Sequence, residues 1–343
     1  MKTVFVIGAG ASKEIGMPTG DELKSTISLL LKVKEGTVQG YENSPLDIKN
    51  AIYCLSDADP KEISKYNDAM TAISEGLPYD ISIDNFIDKH KENNYIVSLG
   101  KLMIVYAILY AEKNSNLYSK DKNIYANYPS NTWYIPFFQR LMENCHNSID
   151  EIKERLNDIT FIIFNYDRCF ETFFRLALMK NYLMDLLTAE EIVSEMNIIH
   201  PYGIVGNSPL GVMPEYTGGS SSAKPGDFVS QSLVNISKEI KSFTESIDPK
   251  DENNKKLVEA CAKTEKIIFL GFAFALQNMK LLYPSPRKDH LHLYGTRKGM
   301  SDYEMQRLPF LWSFIHDALH PTLIDVKCVD FFKEFQYSLS FIN

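Results

Sequence analysis

Three short stretches hold residue types that could do chemistry near neutral pH, and each lies where an apolar run ends. The first, Ile162-Ile163-Phe164-Asn165-Tyr166-Asp167, places an amide and a carboxylate at the exit of a buried strand. In a doubly wound sheet that is where ligands are held, although Asp167 could equally cap a helix beginning at Arg168. The second, Ile198-Ile199-His200-Pro201-Tyr202-Gly203, sends a histidine into a Pro/Gly turn. An imidazole there can act as a base or simply serve the fold. The third, Val4-Phe5-Val6-Ile7-Gly8-Ala9-Gly10-Ala11-Ser12, runs a strand into two glycines. Such a turn lets the backbone approach a pyrophosphate and offer it free N–H groups, or it is only a turn. Lys13 stands where the dinucleotide fingerprint G-x-G-x-x-G needs its last glycine. Gly271 after Ile267–Leu270 and Thr296 after Leu293-Tyr294-Gly295 repeat the strand-then-small-residue pattern more weakly.

These residues need a frame. Apolar runs suited to buried strands recur at Val4–Ile7, Ile159–Phe164, Met196–Ile199, Lys266–Leu270, His290–Tyr294 and Leu323–Val329. Helical patterns separate most of them, so an α/β fold is expected, with a doubly wound (Rossmann-like) parallel sheet of about six strands. Thr19-Gly20-Asp21-Glu22 is a capping box ahead of Leu23, Ile27, Leu30 and Leu31 at helical spacing. Ser301-Asp302-Tyr303-Glu304 is a second. Between the first two strands the pattern is helical, near 84–92, 97–113 and 134–145. A helical insertion over about 36–154 is therefore expected within a sheet core of 1–35 and 155–335. Thr217–Ser222 reads as a loop.

The 343 residues carry a net charge of −8, which argues against a general nucleic-acid binder. Five cysteines with no C-x-x-C give neither a zinc module nor a redox dithiol its usual spacing, and suit a reduced, cytoplasmic protein. The opening apolar run is too short for a signal peptide. Leu102–Ala111, about half of a membrane span, reads as a core helix. His316-Asp317-Ala318-Leu319-His320 lacks the glutamate of a zinc-protease helix, and no P-loop is present. No metal and no membrane partner are expected.

The order of motifs resembles the sirtuin superfamily, and more closely the sirtuin-like NAD hydrolases of bacterial anti-phage defence. The motifs are Gly8-Ala9-Gly10-Ala11-Ser12, Gly16-Met17-Pro18-Thr19, Phe164-Asn165-Tyr166-Asp167, His200 and Gly271-Phe272-Ala273-Phe274. The likeness spans residues 4 to about 296. It implies that Gly8, Ala9, Gly10, Ala11 and Ser12 cradle the NAD phosphates. Thr19, Gly271 and Thr296 complete the implied cofactor-binding set. It implies that Asn165 and Asp167 hold the nicotinamide ribose and the attacking water, with His200 as general base. Ala273 stands where that family usually has serine, and the four zinc cysteines of deacylating sirtuins are missing.

The residue types suit the reaction so implied. Nicotinamide leaves NAD as a neutral group, so the site must stabilise an oxocarbenium-like ribose and deliver water to it. The expectation is an NAD glycohydrolase with NAD as substrate. It would be toxic when unregulated, and controlled by self-association or by a separately encoded ATPase or sensor. An NAD-dependent deacylase or ADP-ribosyltransferase, and a catalytically silent NAD-binding scaffold, are the alternatives.

Overall fold

A five-residue apolar run with no polar face is stable as a strand only when both faces of its sheet are covered. In the computed structural model, residues 2–32, 46–117, 131–206, 228–248, 250–283, 291–312 and 322–335 are described. Their strands are β1 (Thr3–Ile7), β2 (Ile159–Ile163), β3 (Asn197–Ile199), β4 (Lys266–Leu270), β5 (His292–Thr296) and β6 (Thr322–Ile324). They form one parallel sheet in the order β3-β2-β1-β4-β5-β6, a Rossmann-like doubly wound arrangement. All five residues of β1 are buried. Ile7 lies level with Ile163 of β2 and Leu270 of β4, so Gly8, Phe164 and Gly271 leave the sheet side by side.

Two strands differ from the sequence pattern. The strand expected over Leu323–Val329 ends at Ile324. Lys327 leads into a helix from Cys328, and the Val329 N–H goes to the Glu14 carboxylate at 3.1 Å. The chain turns directly after the strand, the Val326 N–H donating to the Ile324 carbonyl at 3.0 Å, and an apolar run does not reveal that turn. The fifth strand starts at His292, and His290 lies outside the described residues.

The helices follow in chain order. Before β2 come α1 (Ala9–Ser12), α2 (Gly20–Leu31), α3 (Leu46–Leu55), α4 (Pro60–Gly76), α5 (Ile83–Lys89), α6 (Asn94–Asn114), α7 (Tyr134–Leu141) and α8 (Ile149–Asn157). After β2 come α9 (Cys169–Asn181) and α10 (Leu186–Glu195), and after β3 α11 (Phe228–Ser237), α12 (Phe243–Ser246) and α13 (Glu252–Lys263). Then come α14 (Leu276–Leu282) beyond β4, α15 (Asp302–Trp312) beyond β5 and α16 (Cys328–Glu334). Both capping boxes form, Thr19 with Glu22 and Ser301 with Glu304.

All the regular elements described between β1 and β2 are helices. The boundary expected near residue 36, the Thr217–Ser222 loop and the His316–His320 pair lie outside the described residues. Helix α6 is long and apolar enough to cross a membrane, yet two thirds of it is buried among α2, α4, α5 and α11. Its buried charges are paired within the protein: Lys101 Nζ with Glu245 at 2.7 Å and Glu112 with Arg168 at 2.6 Å.

An aromatic layer joins α7 to the sheet. Phe137 meets Phe5 edge-on at 5.2 Å, Phe161 stacks on Phe5 at 5.5 Å, and Phe170 tilts against Phe161 at 4.6 Å. Trp133, fully buried, donates its indole N–H to the Ala11 carbonyl at 3.1 Å. The Glu14 carboxylate takes the Trp133 and Val329 amides, so one side chain ties three distant segments together.

Candidate active site

The carboxyl ends of β1, β2 and β3 bring together residues that are far apart in sequence. Asn165, two residues beyond β2, is buried and donates through Nδ2 to the Ser12 hydroxyl at 2.8 Å and the Gly8 carbonyl at 3.3 Å. A carbonyl can only accept, so this contact fixes which end of the amide faces Gly8. The opposite end, Oδ1, is buried with no hydrogen-bond partner. The Tyr134 hydroxyl reaches the same Ser12 from α7.

His200 leaves β3 into a turn closed by its own carbonyl, which accepts from Gly203 at 3.1 Å. Gly203 has φ +83°, and a Cβ there would lie 2.3 Å from the Glu239 carbonyl, so only glycine completes this turn. Both imidazole nitrogens are engaged. Nδ1 is 3.0 Å from the Asn165 carbonyl and Nε2 is 2.7 Å from Glu171 Oε1. Since the carbonyl can only accept, Nδ1 carries a proton, and a second proton lies between Nε2 and the carboxylate. Burial alone would hold the imidazolium down. The Glu171 carboxylate outweighs it, helped by the Asn165 carbonyl and by Asp167, and raises His200 above its ordinary value.

Asp167 is buried as well, and its Oδ1 accepts from the Cys169 amide at 3.1 Å. The helix begins at Cys169, one residue later than expected, with Arg168 as its N-cap, so Asp167 stands one residue before the cap and holds the Cys169 amide from there. Burial pushes its carboxyl up, and the Cys169 amide offsets this only in part. Behind it, Glu112 accepts from the Arg168 backbone N–H at 2.7 Å and from Nη2 at 2.6 Å. Tyr166 donates its hydroxyl to Asp84 of α5. Helices from the segment between β1 and β2 thus hold both neighbours of Asp167 in place.

The glycine turn after β1 is arranged differently. The amides of Gly8, Gly10 and Ala11 donate to Leu270, Gly271 and Gly8 carbonyls at 2.9–3.0 Å. The close approach that the glycines permit is to protein backbone: a Cβ on Gly8 would lie 2.6 Å from the Gly271 carbonyl. Gly271 has φ +55°, and a Cβ there would lie 2.0 Å from the Ala11 nitrogen. The Thr296 hydroxyl accepts from the Gly271 amide at 2.9 Å. So the structure gathers Gly8, Ala9, Gly10, Ala11, Ser12, Gly271 and Thr296 at one edge of the site, with three of the turn's amides already committed. Thr19 serves as the N-cap of α2, its hydroxyl accepting from Glu22.

Glu171 is the site residue that sequence reasoning missed. It sits in the first turn of α9, four residues after Asp167, and its second oxygen, Oε2, is buried without a partner. The i, i+4 spacing of two carboxyls behind a strand was the available signal. Among the described residues, no group of three His, Cys, Asp or Glu side chains is placed to hold a metal ion. No protein-family model matches the chain, and no curated protein matches it.

Proposed function

We propose that the protein is an NAD glycohydrolase that releases nicotinamide and ADP-ribose, a sirtuin-like effector of the kind found in anti-phage defence. The observation that carries this reading is the pair of buried, unpartnered acceptors, Asn165 Oδ1 and Glu171 Oε2, on either side of His200. Buried polar atoms are nearly always satisfied, so two orphans of the same polarity in one cluster call for a ligand that brings donors. The 2′- and 3′-hydroxyls of a ribose are such donors.

The charges suit the reaction. As the bond from nicotinamide to C1′ breaks, positive charge moves onto the ribose. Burial disfavours the anionic form of Asp167, and a cation forming beside it reverses that penalty, so the carboxylate favours the transition state over the empty site. Asn165 is locked by Ser12 and Gly8, which lets it orient a ribose hydroxyl or a water without first losing rotamer freedom. The Gly8–Ser12 turn and Gly271 form the adjoining edge, where the rest of the dinucleotide would run. Thr296 supports that edge through Gly271.

A depleter of a shared cofactor needs restraint. We place that control in self-association or in a separate partner, with an ATPase or sensor protein as the expected type, acting in the cytoplasm. None of the five cysteines is in a disulfide, in keeping with a reducing compartment. The test is incubation of the purified protein with NAD and chromatography of the products, with and without an acylated peptide. Free ADP-ribose without peptide supports the hydrolase. O-acyl-ADP-ribose only with peptide would replace it by a deacylase. Binding of NAD with no turnover, in every assembly state, would leave a silent scaffold.

A further inference from the structure

Both nitrogens of His200 are occupied, so a general base at this site has to be found elsewhere in the cluster. A neutral histidine acts as a base through a bare nitrogen. Here Nδ1 must donate to the Asn165 carbonyl, and Nε2 faces a carboxylate oxygen at 2.7 Å. Of the two unpartnered acceptors, Asn165 Oδ1 belongs to an amide, which is no base, and Glu171 Oε2 belongs to a carboxylate.

We propose that Glu171 is the catalytic carboxylate of this site, and that His200 is the positioning cation that holds it. The proposal rests on the NAD-cleaving reading and names the group that acts in it. In the step, a water oxygen bonds to C1′ as the electron pair of the C1′–N bond leaves with nicotinamide. The proton of that water passes to Glu171 Oε2 and then to solvent, so nothing is oxidised or reduced. A strong base is unnecessary, because water attacking an oxocarbenium-like carbon is already acidic. A carboxylate also stabilises the cation itself, which a neutral imidazole cannot do. The roles resemble a histidine–carboxylate pair run in reverse: the backbone carbonyl orients the ring, and the ring orients the acting carboxylate.

The surroundings are compatible with this division. Asp167 is turned onto the Cys169 amide, and the Cys169 thiol and Tyr134 hydroxyl, both pushed well up by burial, stay protonated. Glu112 and Arg168 neutralise each other behind the site. Arg175, one turn further along α9, lies 3.9 Å from Glu190 and also feels the Glu171 charge, but its buried Nε makes no hydrogen bond, to Glu171 or to any other group. His200 is therefore the cation in contact with Glu171.

The two assignments differ in how activity follows pH. If Glu171 acts, activity holds while His200 is protonated and falls as pH rises through its titration, because a bare Nε2 would then repel the carboxylate it positions. If His200 is the base, activity rises through the same titration. The experiment is kcat and KM for NAD across pH 5–10 in wild type, E171Q and H200Q. The His200 titration is followed by NMR of labelled imidazoles, and an ADP-ribose-induced melting shift checks that each variant is folded. We expect E171Q to lose at least about 100-fold in kcat with KM within threefold, as for removal of a positioned acid–base group. H200Q should lose less, since its side-chain amide can still donate to Glu171. E171Q should also lower the His200 titration midpoint. A folded E171Q within tenfold of wild type, an H200Q less active than E171Q, or activity that rises through the His200 titration would overturn the proposal alone. A wild type that cleaves no NAD in any assembly state would overturn the functional reading and this proposal with it.

Discussion

The two halves of the sheet's carboxyl edge are finished in different ways. At β1, β4 and β5 the glycine backbone is engaged within the protein: the Gly10 amide donates to the Gly271 carbonyl, the Gly271 amide donates to the Thr296 hydroxyl, and a Cβ would clash at Gly8 or Gly271. At β2 and β3, the Asn165 and His200 side chains bond to backbone carbonyls and to other side chains, and two oxygens, Asn165 Oδ1 and Glu171 Oε2, are left unpaired. The first half is a closed hydrogen-bond ledger that would cost stability to disturb. The second carries a standing deficit of donors that a ligand can fill. Glycine-rich turns draw attention in a sequence, but here the incomplete chemistry lies one strand over.

The comparison breaks most visibly at Asn165 and His200. Asn165→Ala and His200→Ala should each lower NAD cleavage by about 10²–10⁴-fold with the fold retained, and the double variant should be little worse than the weaker single one. Product chromatography with thermal melts checks this; parallel loss of activity and folded protein would make these two residues structural. Next is the support behind the site. Glu112→Gln leaves Arg168 buried without its counter-charge and should cost about 3–5 kcal/mol in denaturant unfolding. On the closed half, Gly271→Ala forces a positive φ and a backbone clash, and should cost about 2–4 kcal/mol. Its residual kcat per folded molecule should stay near wild type. Thr296→Val removes the acceptor for the Gly271 amide and the hydroxyl's contact with Cys328 Sγ, for a loss of about 1–3 kcal/mol and little change in kcat. A large kcat effect from Thr296→Val without loss of stability would put chemistry on this half after all.

The smallest effect is a drift with pH. The folded state raises the His200 pKa above its ordinary value, so the stability it contributes is fully present below about pH 6.5 and is lost as pH rises through the raised value. The difference in unfolding free energy between wild type and Glu171→Gln should shrink over that window. A constant difference would mean that Glu171 does not set the charge of His200.

How far this edge could be read in advance follows from what each signal depends on. Strands such as Lys266–Leu270 and the caps at Thr19 and Ser301 are local, and they form where the pattern put them. Asn165, Asp167 and His200 were visible because each follows an apolar run. Glu171 was not, since it lies inside an apolar helix and acquires meaning only when the end of β3 is brought against α9. The glycines were visible as glycines, but not for what they approach. A missing Cβ permits contact with a phosphate or with a peptide bond, and only the pairing of β1 with β4 decides for the peptide bond. At Leu323–Val329 the apolar run was legible, but the turn after Ile324 was not, and the Glu14 carboxylate that holds the Val329 amide in the following helix lies at the other end of the chain.

The register of β1 sets a timetable for synthesis. This strand precedes the other described strands in the chain and is apolar from Val4 to Ile7, yet its neighbours are β2 and β4, whose last paired residues are Ile163 and Leu270. At roughly 5–20 residues per second, the ribosome needs on the order of ten seconds or more to deliver each partner. Meanwhile β1 presents unpaired amides and four apolar side chains to the cell. A nascent chain stalled before residue 159 leaves both edges of this central strand open, and one stalled between β2 and residue 266 leaves one open, the state most prone to pair with a stranger. The helices of α2 to α8 emerge during that interval. Shielding β1 until its partners arrive is a task they can perform before the sheet exists.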